Sequence, residues 1–439
     1  MNILIRGGTV VTCDEQDRVL KADVLLHGRE IIAIGRVSTD CMTRVVEAEG
    51  CAVIPGLVQA HVHLAQTLMR GMADDLPLLD WLRKRVWPLE AAHDDATLAA
   101  SAELGLSEAM LGGTTTLLDM GTVHAHDVVM EACSRAGVRA ISGKAMMDQG
   151  EGIPPSLRES TSASLLEGER LAARWRGAAA GRLGYAWAPR FVLSCSEELA
   201  RGVVERARDR GDLIHTHAAE HPAEREAVRR AHDDDDVAVL RRWGIAGPRA
   251  VIAHGVQLRD DEGRDLARDG TRIVHCPSAN LKLGSGIARV VELDRLGVNL
   301  ALGADGAPCN NNLDAWTEMR HAALLAKVRS GPDALPARRA LRLATIDGAR
   351  ALGLDSLVGS IERGKRADLA VVRVDRPHAE PGGDVFSRLV YACGARDVVH
   401  VLIDGELVVK DRQHQRLDVE RITARARSQA RRLLARAKI

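Results

Sequence analysis

Ile54-Pro55-Gly56-Leu57-Val58-Gln59-Ala60-His61-Val62-His63 is a short apolar run that ends in two histidines one residue apart. Side chains alternate faces along a strand, so positions i and i+2 point the same way. His61 and His63 therefore present two imidazoles to one side, near enough to share a metal ion. Imidazole suits zinc and iron, and two such ligands supply half of a tetrahedral site. A His-x-His pair alone also arises without any metal. The Pro-Gly break and the apolar run place this pair at a strand end, and the rest of the chain has to supply the missing ligands.

Downstream, short apolar runs alternate with helical patterns, the sign of repeated β/α units and a parallel sheet. Thr115–Asp119, Arg139–Ala145, Leu183–Ala188, Leu213–His217, Ala250–His254, Arg272–His275 and Val298–Gly303 read as strands. With the strand ending at His61 they make eight. That predicts an α/β fold, a (β/α)8 TIM barrel with its active site at the C-terminal strand ends. The two ends of the chain have another texture. Met1–Arg6, Thr9–Thr12 after a Gly7-Gly8 turn, Ala22–Leu26 and Ile31–Ile34 are β-branched runs between glycine-rich turns. Ala367–Val372, Val398–Ile403 and Glu406–Val409 repeat the pattern. Residues 1–53 and 358–416 are expected to pair into one small β-sandwich, with a barrel of residues 54–357 inserted between them. The arginines of residues 417–439 recur at helical intervals, which suits an amphipathic surface helix better than a nucleic-acid patch.

Composition excludes several classes. Lys+Arg and Asp+Glu number 60 each in 439 residues, so no charge excess calls for nucleic acid or an anionic membrane surface. No apolar run approaches the roughly 18 residues of a membrane span. The eight cysteines, Cys41 among them, form no C-x-x-C pair, which fits reduced thiols in a cytoplasmic enzyme.

Polar residues collect at the predicted strand ends. Ile214-His215-Thr216-His217-Ala218-Ala219-Glu220 ends one strand, Ala253-His254 the next, Val274-His275 the one after, and Leu302-Gly303-Ala304-Asp305-Gly306 the last. Each alone has a bland explanation, a satisfied core histidine or an Asp-Gly turn. A barrel brings all of these ends around one axis, and there they form a set.

With these motifs the chain resembles the amidohydrolase superfamily, in its cytosine deaminase-like branch. That branch holds S-adenosylhomocysteine, methylthioadenosine and deoxyadenosine deaminases, guanine deaminase and the triazine hydrolases. The resemblance covers essentially the whole chain. It rests on Pro55 through His63, Leu68 through Leu78 and Trp87 through Glu90, Gly112-Gly113-Thr114-Thr115, His217-Ala218-Ala219-Glu220, His275 through Gly286, Gly303 through Gly306, and Gly359 through Leu369.

The resemblance implies a metal held by His61, His63, His217 and Asp305. Binuclear relatives need a lysine at the end of strand 4, and Leu183–Arg190 has none. One divalent metal is therefore expected, zinc first and Fe(II) as the alternative. A metal here acidifies a water to a pKa of roughly 7. In the implied reaction that water attacks a ring carbon bearing an exocyclic amine. His254 and Asp305 orient it and take its proton, while Glu220 protonates the ring nitrogen and then the leaving amine. His215 and His275 match no ligand position and are expected behind the site or in the core. Family members are usually homo-oligomers.

For the small-molecule substrate the resemblance points two ways. Glu90 stands where adenosine-type deaminases carry a carboxylate for ribose hydroxyls, under a lid from Gln66 to Glu90. Leu78, Leu79, Trp81, Leu82 and Val86 of that lid have helical spacing, and Trp87 is placed beside the substrate. Trp187 stands where S-adenosylhomocysteine deaminases have a substrate-binding histidine, and the Arg190-Phe191 that follows resembles guanine deaminase. An adenine nucleoside such as 5′-deoxyadenosine, methylthioadenosine or S-adenosylhomocysteine is the first expectation. Guanine or a pterin, and then a triazine, are the alternatives. Cys309 either lines the pocket or is a plain buried thiol. Some amidohydrolase-fold proteins have lost their metal and act as binding proteins, but such chains lose ligands and this one keeps all four.

Overall fold

The computed structural model describes residues 2–38 and 42–439; Met1 and Cys41 lie outside them. The middle of the chain forms eight barrel strands in order: Leu57–His63, Thr114–Met120, Arg139–Gly143 with Ala145–Met146, Leu183–Pro189, Leu213–Ala218, Ala250–His254, Arg272–His275, and Asn299–Leu302 continued by Asp305–Gly306. Each pairs in parallel with the next. Closure falls at the functional end. Asn299–Leu302 pairs with strand 7, whereas Asp305 and Gly306 pair with Val62 and His63 of strand 1. The expected TIM barrel is therefore present, and its seam runs through the candidate ligands.

Barrel strands are covered on both faces, which is why they read as continuous apolar runs. Helix Asp95–Leu111 is buried on most sides, whereas others bury one stripe. Glu197–Arg210 starts where Ser196 accepts from the Leu199 amide, buries Leu199, Ala200, Val203 and Ala207, and stops at Gly211 with φ of 75°. Gly143 shows how tight the barrel is. A Cβ there would lie 1.7 Å from the Ala186 carbonyl oxygen of the neighbouring strand. Gly143→Ala is expected to cost about 1–3 kcal/mol by overpacking. A chemical-denaturation midpoint equal to wild type would contradict this.

The chain ends combine into one nine-stranded sheet. Its join is Cys51–Pro55 running antiparallel to Leu369–Arg373. Ile5, Val10, Val24, Leu26, Val53, Leu369 and Leu402 pack as its apolar cluster. The expected sandwich is thus a single hydrogen-bonded sheet closing over its own core. Two local expectations are corrected. Gly7-Gly8 is a bulge inside one strand, Asn2–Val11, because Gly7 takes φ of 74° and the register shifts without the chain reversing. The run Ile54–His63 is two strands. At Gly56 it passes from the terminal sheet to the barrel, and a Cβ there would sit 2.1 Å from Thr115 Oγ1.

The two parts are fastened by a buried charge cluster. Arg139, at the start of barrel strand 3, donates to Asp368 at 2.8 and 3.1 Å and to Asp404 at 2.5 Å. The C-terminal helix, Val419–Ala437, buries Ile422, Ala426 and Leu433 and pairs Arg425 with Glu103 and Arg436 with Asp94. Its arginines serve a packed surface helix. No helix among the described residues is long and apolar enough to cross a membrane.

Candidate active site

His61 and His63 leave strand 1 on the same side, their rings 4.8 Å apart. His217 arrives from strand 5, with Nε2 3.3 Å from His63 Nε2. Asp305 Oδ1 lies 3.2 Å from His61 Nε2 and 3.4 Å from His63 Nε2. His254, at the end of strand 6, places Nε2 3.4 Å from Glu220 Oε2 and 3.9 Å from Asp305 Oδ2. Asp305 and His254 both hold left-handed backbone, at φ of 63° and 78°. Strain of this kind persists only where the surroundings over-determine it. At Asp305 they do: a Cβ on Gly303 would already meet the His61 backbone oxygen at 2.5 Å.

The far nitrogen of each ring is anchored. His63 Nδ1 lies 2.7 Å from the Met120 carbonyl, and His217 Nδ1 lies 2.7 Å from the Arg190 carbonyl. A carbonyl only accepts, so both Nδ1 atoms carry the proton and both Nε2 atoms present lone pairs to the centre. His61 Nδ1 is held by His215 Nε2 at 2.8 Å, and His254 Nδ1 by Asn280 Oδ1 at 2.9 Å. His215 thus stands behind the site, orienting His61. Burial pushes His63 down to about 3 and holds His61 and His217 low as well, so these imidazoles are neutral ligands. Burial pushes Asp305 upward, but the imidazoles around it, that of His61 first, outweigh burial and leave it well below the usual carboxylate range.

Lone pairs facing lone pairs and a carboxylate repel one another unless a cation lies between them. His61 Nε2 is buried and makes no hydrogen bond of good geometry. Three neutral imidazoles and one carboxylate are a donor set that fits a single divalent metal. The ligand atoms of His61, His63 and His217, and those of His61, His254 and Asp305, lie within 4.8 Å of one another.

Glu220 shares the cavity above these residues. Its carboxyl is raised well above the usual range, by burial first and then by the charge of Asp305, with Arg190 pulling the other way. Its amide donates to Glu224 Oε2 at 3.0 Å, which fixes the chain where it turns out of strand 5. Around them the wall is built from Gln66, Leu78, Trp81, Leu82, Arg190 and Phe191.

Several sequence expectations move here. Glu90 and Arg190, which pointed to different substrates, form one buried bidentate pair at 2.6 and 3.1 Å, with Gln66 Nε2 donating to Glu90 at 2.8 Å. Trp87 lines a separate neighbouring cavity of about 460 Å3, and it is Trp81 that faces the cavity at the histidines. The lid helix explains the difference. It runs from Leu78 to Ala91 with one π-turn at Leu82–Val86, which re-aims the residues beyond it. Trp187 does not reach the cavity either. It is buried outside the barrel, bonded to Asp212 and packed under Gly168. Arg190, three residues on, holds the strand-4 position at the cavity. Cys309 is a buried thiol 3.1 Å from Asp305 Oδ2, behind that residue. His275 is buried with neither ring nitrogen bonded.

Gln66 and Trp81 were not read from the sequence as site residues. Gln66 Oε1 and Trp81 Nε1 are buried at the wall without a hydrogen-bond partner. Such orphans are costly to leave buried. A glutamine three residues beyond a His-x-His pair carries no signal of its own.

The Amidohydrolase family matches residues 52–408. The chain belongs to the amidohydrolase family. Over 436 residues it is 39% identical to the 5-methylthioadenosine/S-adenosylhomocysteine deaminase of Halobacterium salinarum, covering 99% of this chain and 98% of the relative. It is 36% identical over 437 residues to the 5′-deoxyadenosine deaminase of Methanosarcina mazei, covering 99% of each. Among solved structures, an adenosine deaminase from Xanthomonas campestris with bound zinc superposes with a TM-score of 0.93 at 33% identity, over 99% of this chain and 98% of that one. Its relatives are named as deaminases, hydrolases acting on C–N bonds.

Proposed function

We propose that this chain is a metal-dependent hydrolytic deaminase. It replaces the exocyclic amine of a purine ring by oxygen and releases ammonia. The substrate is an adenine nucleoside such as 5′-deoxyadenosine, methylthioadenosine or S-adenosylhomocysteine, and the metal is zinc. The observation that carries this is the shared cavity: Glu220 lies against His254, beside the lone-pair cluster of His61, His63, His217 and Asp305. Full-length relatives named as deaminases of these nucleosides support it.

When bound, the metal supplies a water acidified to a pKa of roughly 7. The protein does the rest. His254 stands between two carboxylates, those of Glu220 and Asp305, and is placed to orient the attacking water and accept its proton. Burial and the charge of Asp305 raise the Glu220 carboxyl, which favours its protonated form. Glu220 is placed to give a proton to the ring nitrogen beside the attacked carbon, then to take the hydroxyl proton of the adduct and pass it to the amine as the C–N bond breaks and the C=O forms. Gln66 Oε1 and Trp81 Nε1 offer one acceptor and one donor to the ring.

The cavity holds about 30 Å3, room for roughly one or two waters. A purine therefore enters with movement of the lid helix. Glu90 does not face the cavity in this arrangement, and in the nucleoside complex it divides its acceptors between Arg190 and the ribose. A second assignment is favoured by Arg190 itself. Its guanidinium lines the cavity and suits the O6 or N7 of guanine, or the O4 or N5 of a pterin.

Ammonia release by the zinc-loaded protein decides between them. The panel is 5′-deoxyadenosine, adenosine, methylthioadenosine, S-adenosylhomocysteine, guanine, a pterin and an aminotriazine. Adenine nucleosides are expected to turn over fastest. Fastest turnover of guanine, the pterin or the triazine would overturn the nucleoside assignment. We further assign the protein to the cytoplasm as a homo-oligomer. All cysteines of the described residues are free thiols, which supports the first, and sedimentation reads the second.

A further inference from the structure

Glu318 is fully buried on helix Ala315–Ser330, with no cation in ion-pair range among the described residues. Its carboxylate is met by three donors. Ser278 gives its amide at 3.1 Å and its hydroxyl at 2.5 Å, and Asn310 gives Nδ2 at 2.8 Å. These donors belong to two loops at the functional end of the barrel. Ser278 opens the short helix Pro277–Lys282 after strand 7, and the same helix carries Asn280, whose Oδ1 holds His254 Nδ1. Asn310 follows strand 8, and its Nδ2 also donates at 2.7 Å to the carbonyl of Ala304, the residue before Asp305.

Resting on the deaminase function proposed above, we propose that Glu318 is a positioning residue: it ties the strand-7 loop to the strand-8 loop, and so sets where His254 and Asp305 present their reacting atoms. Glu318 touches neither residue. It acts through Asn280 on one side and the Ala304 peptide on the other. Oε1 accepts from the Ser278 hydroxyl and Asn310 Nδ2, and Oε2 from the Ser278 amide. Burial raises the carboxyl to about 7, while these donors favour its ionised form. A glutamine would turn an N–H toward the Ser278 amide, or toward the Asn310 and Ser278 hydroxyl donors. Burying a carboxylate without a cation is expensive. An aliphatic residue would fill the space at less cost if packing were its whole purpose.

The test compares zinc-loaded wild type, Glu318→Gln and the milder Asn310→Ala on the best substrate of the panel, with amide hydrogen exchange on each. A displacement of about 1 Å at reacting groups costs on the order of 100-fold. Glu318→Gln is therefore expected to lower kcat by about 100-fold while KM moves less than about threefold. Zinc content should stay at the wild-type level, and exchange should quicken in residues 276–286 and 303–312 only. Asn310→Ala should show a smaller kcat loss, with faster exchange confined to the strand-8 loop. Folded variants with wild-type kcat and wild-type loop exchange would overturn the proposal. So would faster exchange spread over the whole barrel, which is the mark of a purely structural residue. If wild type deaminates nothing in the panel, the deaminase reading fails, and the loop-specific exchange still decides whether Glu318 ties the loops.

Discussion

Glu220→Gln is expected to reduce ammonia release by about 10³–10⁴-fold, the upper end for a positioned acid, because one carboxyl serves two proton transfers. The side chain keeps its size and loses only its proton chemistry. None of the four candidate ligands hydrogen-bonds to Glu220, so metal content by elemental analysis should match wild type. Retained turnover above about a tenth of wild type would remove Glu220 from the proton path.

The same variant carries a stability signature. In the folded protein burial and Asp305 push the Glu220 carboxyl well above its ordinary 4.5. The folded state therefore holds a proton that the unfolded chain has released, and stability falls as pH rises above about 4.5. Glutamine does not titrate. Metal-free Glu220→Gln should melt above wild type at pH 7 and level with it near pH 4. The group that gives the site its acid also costs the fold some stability, as expected where function and stability compete. Equal melting temperatures at both pH values would contradict the burial argument.

Arg139→Ala is the substitution expected to cost most stability. The guanidinium is 4% exposed, and Asp368 and Asp404 are 1% and 3% exposed. Without Arg139, two carboxylates face each other in the interior. Arg182 is the remaining cation there, 3.6 Å from Asp404. Breaking a buried pair by deleting one partner typically costs about 3–5 kcal/mol. The loss should be felt at the joint, since Arg139 belongs to the barrel and both carboxylates to the terminal sheet. A melting temperature lower by several degrees is expected, with the terminal sheet losing amide protection first. Arg139→Lys should fall between wild type and Arg139→Ala, because it keeps the charge and loses the bidentate fork. A shift too small to measure in Arg139→Ala would show the cluster to be solvated.

The barrel strands were legible because each is a contiguous run whose two buried faces leave an unbroken apolar pattern. His61, His63, His217, His254 and Asp305 were legible because they sit at the ends of such runs, and strand period alone sets which way a His-x-His pair points. Glu220 was singled out through the resemblance, and its place three residues after His217 brings it to the same cavity. The two misread points of the strand pattern were local as well. Gly7-Gly8 has the composition of a turn, yet a single positive φ lets one strand bulge and continue. Gly56 lies within an apolar run that two sheets share.

The sequence by itself therefore determined the order of the strands, the end of the barrel that carries the chemistry, and the residue types gathered there. These follow from patterns a few residues long, and from the fact that a closed barrel brings all its strand ends together. Only the tertiary structure decided the rest. Glu90 and Arg190, 100 residues apart, became partners instead of rival witnesses. A π-turn chose Trp81 over Trp87, the carbonyls of Met120 and Arg190 set the histidine tautomers, and Glu318 came to lie under two loops. Each of these depends on which backbone and side chains meet across the closed barrel. That is a property of three-dimensional packing, and no periodicity along the chain encodes it.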